Sequence, residues 1–125
     1  MNTTIWILQG LLAVIFLVAG FYKVITPKVK LEKSMLWAKD YTEETIKFIG
    51  LSEMLGAFGV ILPLALGIYP ILTPIAAFAL AVIMLLATRI HTHRKEYKEI
   101  ALNMTIIVIA FLVAIFRFGF INHMN

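Results

Sequence analysis

The chain has 125 residues, of which 62% are hydrophobic and 14% charged, with a formal net charge of +4 and no cysteine. Soluble domains run nearer to about 45–50% apolar and about 25% charged, so this balance, with a mean hydropathy of +0.95, describes an integral membrane protein with no length left over for a separate soluble domain. The absence of cysteine excludes disulfides, thiolate metal sites and thiol–disulfide exchange.

Four apolar stretches run over Ile5–Ile25, Ile46–Leu66, Ile71–Thr88 and Ile100–Phe120. A hydrocarbon core of about 30 Å needs roughly 20 helical residues, and each stretch comes close to that length. The first is preceded by Met1-Asn2-Thr3-Thr4, which carries no Lys or Arg, and is followed by Lys23, Lys28, Lys30 and Lys33. Although Val18-Ala19-Gly20 offers the small residues of a cleavage site, this charge order reads as a retained anchor whose start faces outward. Thr26-Pro27 then ends the helix, because proline disfavours helix in the residue before it. Leu31, Met35, Leu36 and Trp37, set among Lys30, Glu32, Lys33 and Lys39, predict a short amphipathic segment on the membrane surface with Trp37 at headgroup level. Asp40 or Thr42 is placed to cap the second span, and Glu43 and Glu44 suit its positive end. Leu62-Pro63 and Gly67–Pro70 mark a tight outer turn, and Pro74 falls in the first turn of the third span, where it is tolerated. His123 sits in the C-terminal tail.

The basic residues are sharply sorted. The first connection and its helix ends hold Lys23, Lys28, Lys30, Lys33, Lys39 and Lys47, and the third holds Arg89, Arg94, Lys95 and Lys98. The opposite ends hold Arg117 alone. The positive-inside rule then predicts two long cytoplasmic loops with both termini extracytoplasmic, as in a multi-pass protein of a bacterial inner membrane. An anionic inner leaflet accounts for the net positive charge, so no nucleic-acid partner is expected.

At about 100° per residue each span carries an inward stripe of small and polar positions. These are Gln9, Ala13, Phe16, Gly20 and Lys23; Gly50, Glu53, Gly56, Ala57 and Val60; Ala77, Ala81, Met84, Thr88 and His91; and Asn103, Ile107, Ala110, Ala114 and Arg117. Small residues let membrane helices approach, and polar ones bond between them. The expected fold is therefore all-α, a four-helix transmembrane bundle forming one domain over residues 1–125, with Gly20, Gly50, Gly56, Ala57, Ala77, Ala81, Ala110 and Ala114 as packing positions.

Glu53 is the single acidic residue well inside a span. A charge there costs on the order of 3 kcal/mol on insertion scales, so such residues face partners rather than lipid. Lys23, Arg89 and His91 are the cations within plausible reach. Glu53 is a candidate for contacting a ligand or handling a proton in a loop-side cavity, and equally for a structural ion pair that sets helix register. Lys23, His91 and Asn103 are the accompanying candidates, each with an alternative role: Lys23 by snorkelling to the surface, His91 as an ordinary interfacial residue, Asn103 by bonding across helices. His91 and His93, two apart, point to roughly opposite sides of a helix and form no local metal clamp. Gly56 and Gly59 suit close helix approach, since no phosphate-cradling glycine spacing exists. No catalytic residue, nucleophile–base pair or metal site is identified.

Ala19-Gly20-Phe21-Tyr22-Lys23, the run Ile49–Gly59, Leu62-Pro63, Leu72–Ala77, the Arg89-Ile90-His91 exit of the third span and Asn103 together resemble the DoxX-like family. That resemblance implies four transmembrane helices and carries over Lys23 and Glu53 as the family's polar marks. The family's name comes from a membrane subunit of a thiosulfate:quinone oxidoreductase, and distant relatives include assembly chaperones for membrane receptors. The leading expectation is an accessory protein that binds a lipophilic molecule or a membrane partner subunit around Glu53, self-association being open to it as well. An alternative is a quinone-linked redox subunit with Glu53 handling the proton, a quinone then being the one redox group and electrons coming from a partner. A minimal transporter is a third reading, suggested by the two similar hairpins.

Overall fold

The computed structural model describes residues 2–124, with side chains through Asn122; the side chain of His123 lies outside the described residues. Every regular element in them is helical: α1 (Asn2–Ile25), α2 (Lys28–Ser34), a 3₁₀ helix (Leu36–Asp40), α3 (Glu43–Gly59), α4 (Leu62–Leu66), α5 (Leu72–His93) and α6 (Tyr97–Met124). Four stretches are long and apolar enough to cross a membrane: Asn2–Ile25, Glu43–Leu66, Leu72–His93 and Tyr97–Asn122.

Local chemistry sets the boundaries. Pro27 ends α1. Thr42 caps α3, its hydroxyl oxygen accepting from the Thr45 N–H at 3.2 Å, with Glu43 and Glu44 at the positive end of the helix. The second apolar stretch is not one continuous helix. Pro63 has no N–H, and its ring would collide with the carbonyl of Gly59, so the chain breaks at Val60–Ile61 and restarts as α4. Gly67, at φ 69°, closes α4 in the left-handed conformation that only glycine adopts freely. The Leu64 N–H donates to Thr73 Oγ1 at 3.1 Å, tying the turn to the start of α5.

The second basic connection also differs from the expected long loop. The polar residues Arg89–His93 continue α5, and α6 begins at Tyr97, which leaves a link of Arg94–Glu96 with Lys95 at φ 58°. Once the backbone hydrogen bonds of a helix are running, the polarity of these side chains is no reason to stop, and only the reversal itself needs irregular backbone.

Helix α1 packs antiparallel against α3, and α5 against α6. Contacts between the two pairs, through α3 with α5 and α1 with α6, are sparser. In lipid there is no hydrophobic drive between helices, so close van der Waals packing and hydrogen bonds must supply the association. Gly20 and Gly50 supply the closest approach: a Cβ on Gly50 would stand 2.7 Å from the Gly20 carbonyl oxygen. A Cβ on Gly56 would meet Leu80 of α5 at 2.5 Å. Ala57, Ala77, Ala81, Ala110 and Ala114 are buried in one core with Leu12, Phe16, Leu80 and Val113. Large apolar residues such as Val14, Val18, Leu55 and Ile115 point outward, as a lipid-facing surface requires.

The first connection folds back over one end of α1 and α3. Leu31, Ala38 and Ile46 are buried together, with Tyr22, Met35, Trp37 and Tyr41 packed on them. Trp37 is therefore half-buried against the protein. Its ring pairs edge-on with Tyr41 at 5.8 Å. Arg94 donates to Asp40 at 2.8 Å, which brings the two basic connections together at the same end of the molecule.

Candidate functional site

Gly50 and Glu53, three residues apart, lie on one face of α3, and Gly20 and Lys23 lie likewise on α1. The glycine contact brings those faces together. Side chains lean toward the N-terminus of their own helix, so on antiparallel helices Lys23 and Glu53 lean toward each other. Lys23 Nζ donates to Glu53 Oε1 in a buried ion pair. Glu53 is 1% exposed, and Lys23 alone of the three nearby cations reaches it. The ammonium also stands 5.9 Å from the Trp37 ring centroid.

This pair sits in the wall of a cavity of about 980 Å³ at the end of the molecule that carries the basic connections. Phe16, Ile49, Ile83, Met84 and Ile106 form its apolar part, and the folded-back segment contributes Met35, Leu36, Trp37 and Tyr41. The exposed side chains Phe48 of α3 and Leu86 of α5 belong to its rim, so part of that rim is continuous with the lipid-facing surface.

The four candidates Lys23, Glu53, His91 and Asn103 all line this one cavity. They do not form one hydrogen-bonded network. His91 Nδ1 lies 3.0 Å from Glu96 Oε1, and Arg94 Nε lies 3.6 Å from the same oxygen, so the His91 cluster belongs to the α5–α6 reversal. Asn103, near the start of α6, is buried, and its amide nitrogen Nδ2 has no hydrogen-bond partner among the described residues. Arg89, His93 and Glu99 also line the cavity, and among the described residues Arg89 makes no salt bridge. Thr88 turns away to donate to the Met84 carbonyl at 2.8 Å.

The arrangement offers an apolar chamber with one orphan donor and one proton-bearing ion pair. Ser52 Oγ donates to the Phe48 carbonyl at 2.9 Å and, among the described residues, is hydrogen-bonded to no His, Asp or Glu. Among the described residues no three His, Asp or Glu side chains gather for a metal ion.

A family model, the DoxX-like family, matches residues 7–113, a stretch containing every residue that lines the cavity. The chain belongs to the DoxX-like family. With its four membrane-crossing helices, this makes it a small multi-pass membrane protein. No curated protein and no solved structure matches the chain.

This DoxX-like protein has a second polar cluster at the other end. Arg117 Nε donates to Gln9 Oε1 at 2.6 Å, and Gln9 Nε2 donates to the Val60 carbonyl at 2.7 Å. That relay joins α6 and α1 to the residue that caps the end of α3. Periodicity alone puts Gln9 and Arg117 on the inward stripes of their helices. Missing from the sequence reading were Trp37, Met35 and Tyr41 as cavity residues, because nothing local in an amphipathic segment says which protein surface it will cover.

Proposed function

We propose that this DoxX-like protein is an accessory protein of the bacterial inner membrane that holds a lipophilic molecule bearing a hydrogen-bond acceptor. The supporting observation is Asn103: a buried donor without a partner, in the wall of an apolar cavity of about 980 Å³. A buried unsatisfied donor is costly, and a ligand carbonyl, ether or ester oxygen at that point would satisfy it. A chamber of this size suits a molecule of drug-like to lipid-like dimensions, and the apolar rim at Phe48 and Leu86 favours access from the bilayer. The sorting of Lys and Arg supports an orientation with the basic connections in the cytoplasm and both termini outside.

The test is native mass spectrometry of the chain purified in mild detergent. A defined small molecule should be retained by the wild type and lost from Asn103→Leu. A wild-type spectrum with only bulk phospholipid, unchanged by Asn103→Leu, would sink this reading.

A quinone-linked redox role is the second reading, and the Lys23–Glu53 pair on the same cavity wall favours it. Reduction of a quinone to quinol takes two electrons and two protons. A partner subunit would supply the electrons, and Glu53 would relay protons while Asn103 holds one carbonyl. Glu53→Gln should then abolish electron transfer to added quinone while leaving its binding intact.

A further inference from the structure

Arg117 is 2% exposed, yet both of its hydrogen-bond acceptors are neutral. Nε donates to Gln9 and Nη1 to Asn2 Oδ1, each at 2.6 Å. The third nitrogen, Nη2, is buried with no partner among the described residues. The rings of Trp6 and Phe120 face the guanidinium at 5.0 and 5.1 Å. They offset part of the charge but leave Nη2 without an acceptor oxygen.

A buried charge is ordinarily paired, and among the described residues no acidic side chain pairs with Arg117. Its seven acidic residues are Glu32, Asp40, Glu43, Glu44, Glu53, Glu96 and Glu99. All lie in the basic connections or, for Glu53, on the cavity wall that faces them. None lies in the first half of α1, in the turn around α4 or in the second half of α6, which surround Arg117. Among the described residues Arg117 therefore has no counter-ion, and one from outside the chain would pair with it.

The geometry also says what kind. Nη1 and Nη2 are the two tips of the guanidinium fork, which matches two oxygens of one oxyanion in parallel hydrogen bonds. One tip carries the neutral amide of Asn2, an exposed residue, and the other has no acceptor among the described residues. An oxyanion that displaces the Asn2 amide would exchange a neutral acceptor for a charged one and fill the orphan in the same step. Arg117 lies five residues before Asn122, where the membrane-crossing part of α6 ends. That is about 7–8 Å along the helix, a depth within reach of a headgroup phosphate.

We propose that Arg117, gated by Asn2, is an oxyanion site for a phosphate group at the membrane end opposite the basic connections, separate from the Asn103 cavity. A phospholipid headgroup and free phosphate share this chemistry. The experiment compares thermal unfolding and native mass spectra of detergent-purified protein with added phosphatidylglycerol, with diacylglycerol as the phosphate-free control, and with inorganic phosphate.

Phosphatidylglycerol should stabilise the wild type beyond diacylglycerol and give a retained 1:1 adduct. Asn103→Leu should keep that adduct, and Arg117→Gln should bind at least tenfold more weakly. Arg117→Lys, which keeps the charge and loses the fork, should be weakened as well, while Asn2→Ala should not be. The same pattern with inorganic phosphate would assign the site to the free anion, and its absence there would assign it to the lipid. If neither phosphate source stabilises the wild type beyond the control, or if Arg117→Gln binds as the wild type does, the proposal is overturned. The wild-type comparison decides the matter even if Arg117→Gln fails to fold.

Discussion

Lys23 and Glu53, thirty positions apart in the chain, form a buried ion pair one helical turn from the Gly20–Gly50 contact that brings their helices together. The two features depend on each other. Without side chains at the glycines the helices come close enough for the pair to be covered, and the pair gives the close approach a fixed register.

Removing one member of the pair should therefore cost more than removing both. Glu53→Leu leaves an uncompensated ammonium and should destabilise the protein by about 3–5 kcal/mol, whereas Lys23→Met with Glu53→Leu should recover most of that. Thermal unfolding in detergent reads both. A double variant no more stable than Glu53→Leu alone would show that the pair is not the coupled unit described here.

The glycine contact makes its own prediction. Gly20→Ala places a methyl group against the Met54 side chain, which can shift, and against the Gly50 carbonyl, which as backbone cannot, and should destabilise by about 1–3 kcal/mol. Gly119→Ala, with nothing within 4 Å of the new methyl group, should show no such loss. Equal effects at the two positions would mean that helix propensity, not approach, governs glycine here.

Asn103 should trade stability against binding. With its donor unpartnered, Asn103→Leu should stabilise the ligand-free protein by about 1–3 kcal/mol while lowering ligand retention. The unfolding midpoint of delipidated protein checks the first half. A loss of stability in Asn103→Leu would indicate that the amide already has a partner.

The absence of cysteine allows a clean test of orientation. Single cysteines at Lys39, Lys98 and Tyr69 would all be exposed, the first two in the basic connections and the third in the opposite turn. A membrane-impermeant maleimide applied to intact cells should label Tyr69→Cys and spare Lys39→Cys and Lys98→Cys. The reverse pattern would invert the proposed orientation. Labelling at only one of Lys39→Cys and Lys98→Cys would contradict the Asp40–Arg94 contact. Asp40→Ala itself should change stability by less than about 1 kcal/mol, because Asp40 is 61% exposed in that pair.

Much of this protein is determined by its sequence alone. Four apolar lengths near 20 residues make a four-span membrane protein because a continuous apolar stretch of that length satisfies its backbone in lipid as a helix. The 100° spacing is enough to place Gln9, Gly20, Lys23, Gly50, Glu53, Asn103 and Arg117 on inward faces, since a buried glycine or charge in lipid has to face another helix. Other matters are decided only by tertiary structure. Which cation Glu53 takes depends on the antiparallel lean of two side chains from helices that touch at glycines. The cavity exists because α1–α3 and α5–α6 pack tightly as pairs and loosely between them, and because Trp37 and its neighbours fold over the gap. The orphan nitrogens of Asn103 and Arg117 are likewise invisible in one dimension: whether a polar atom has a partner is a property of everything around it in space, and no local pattern of residues records that.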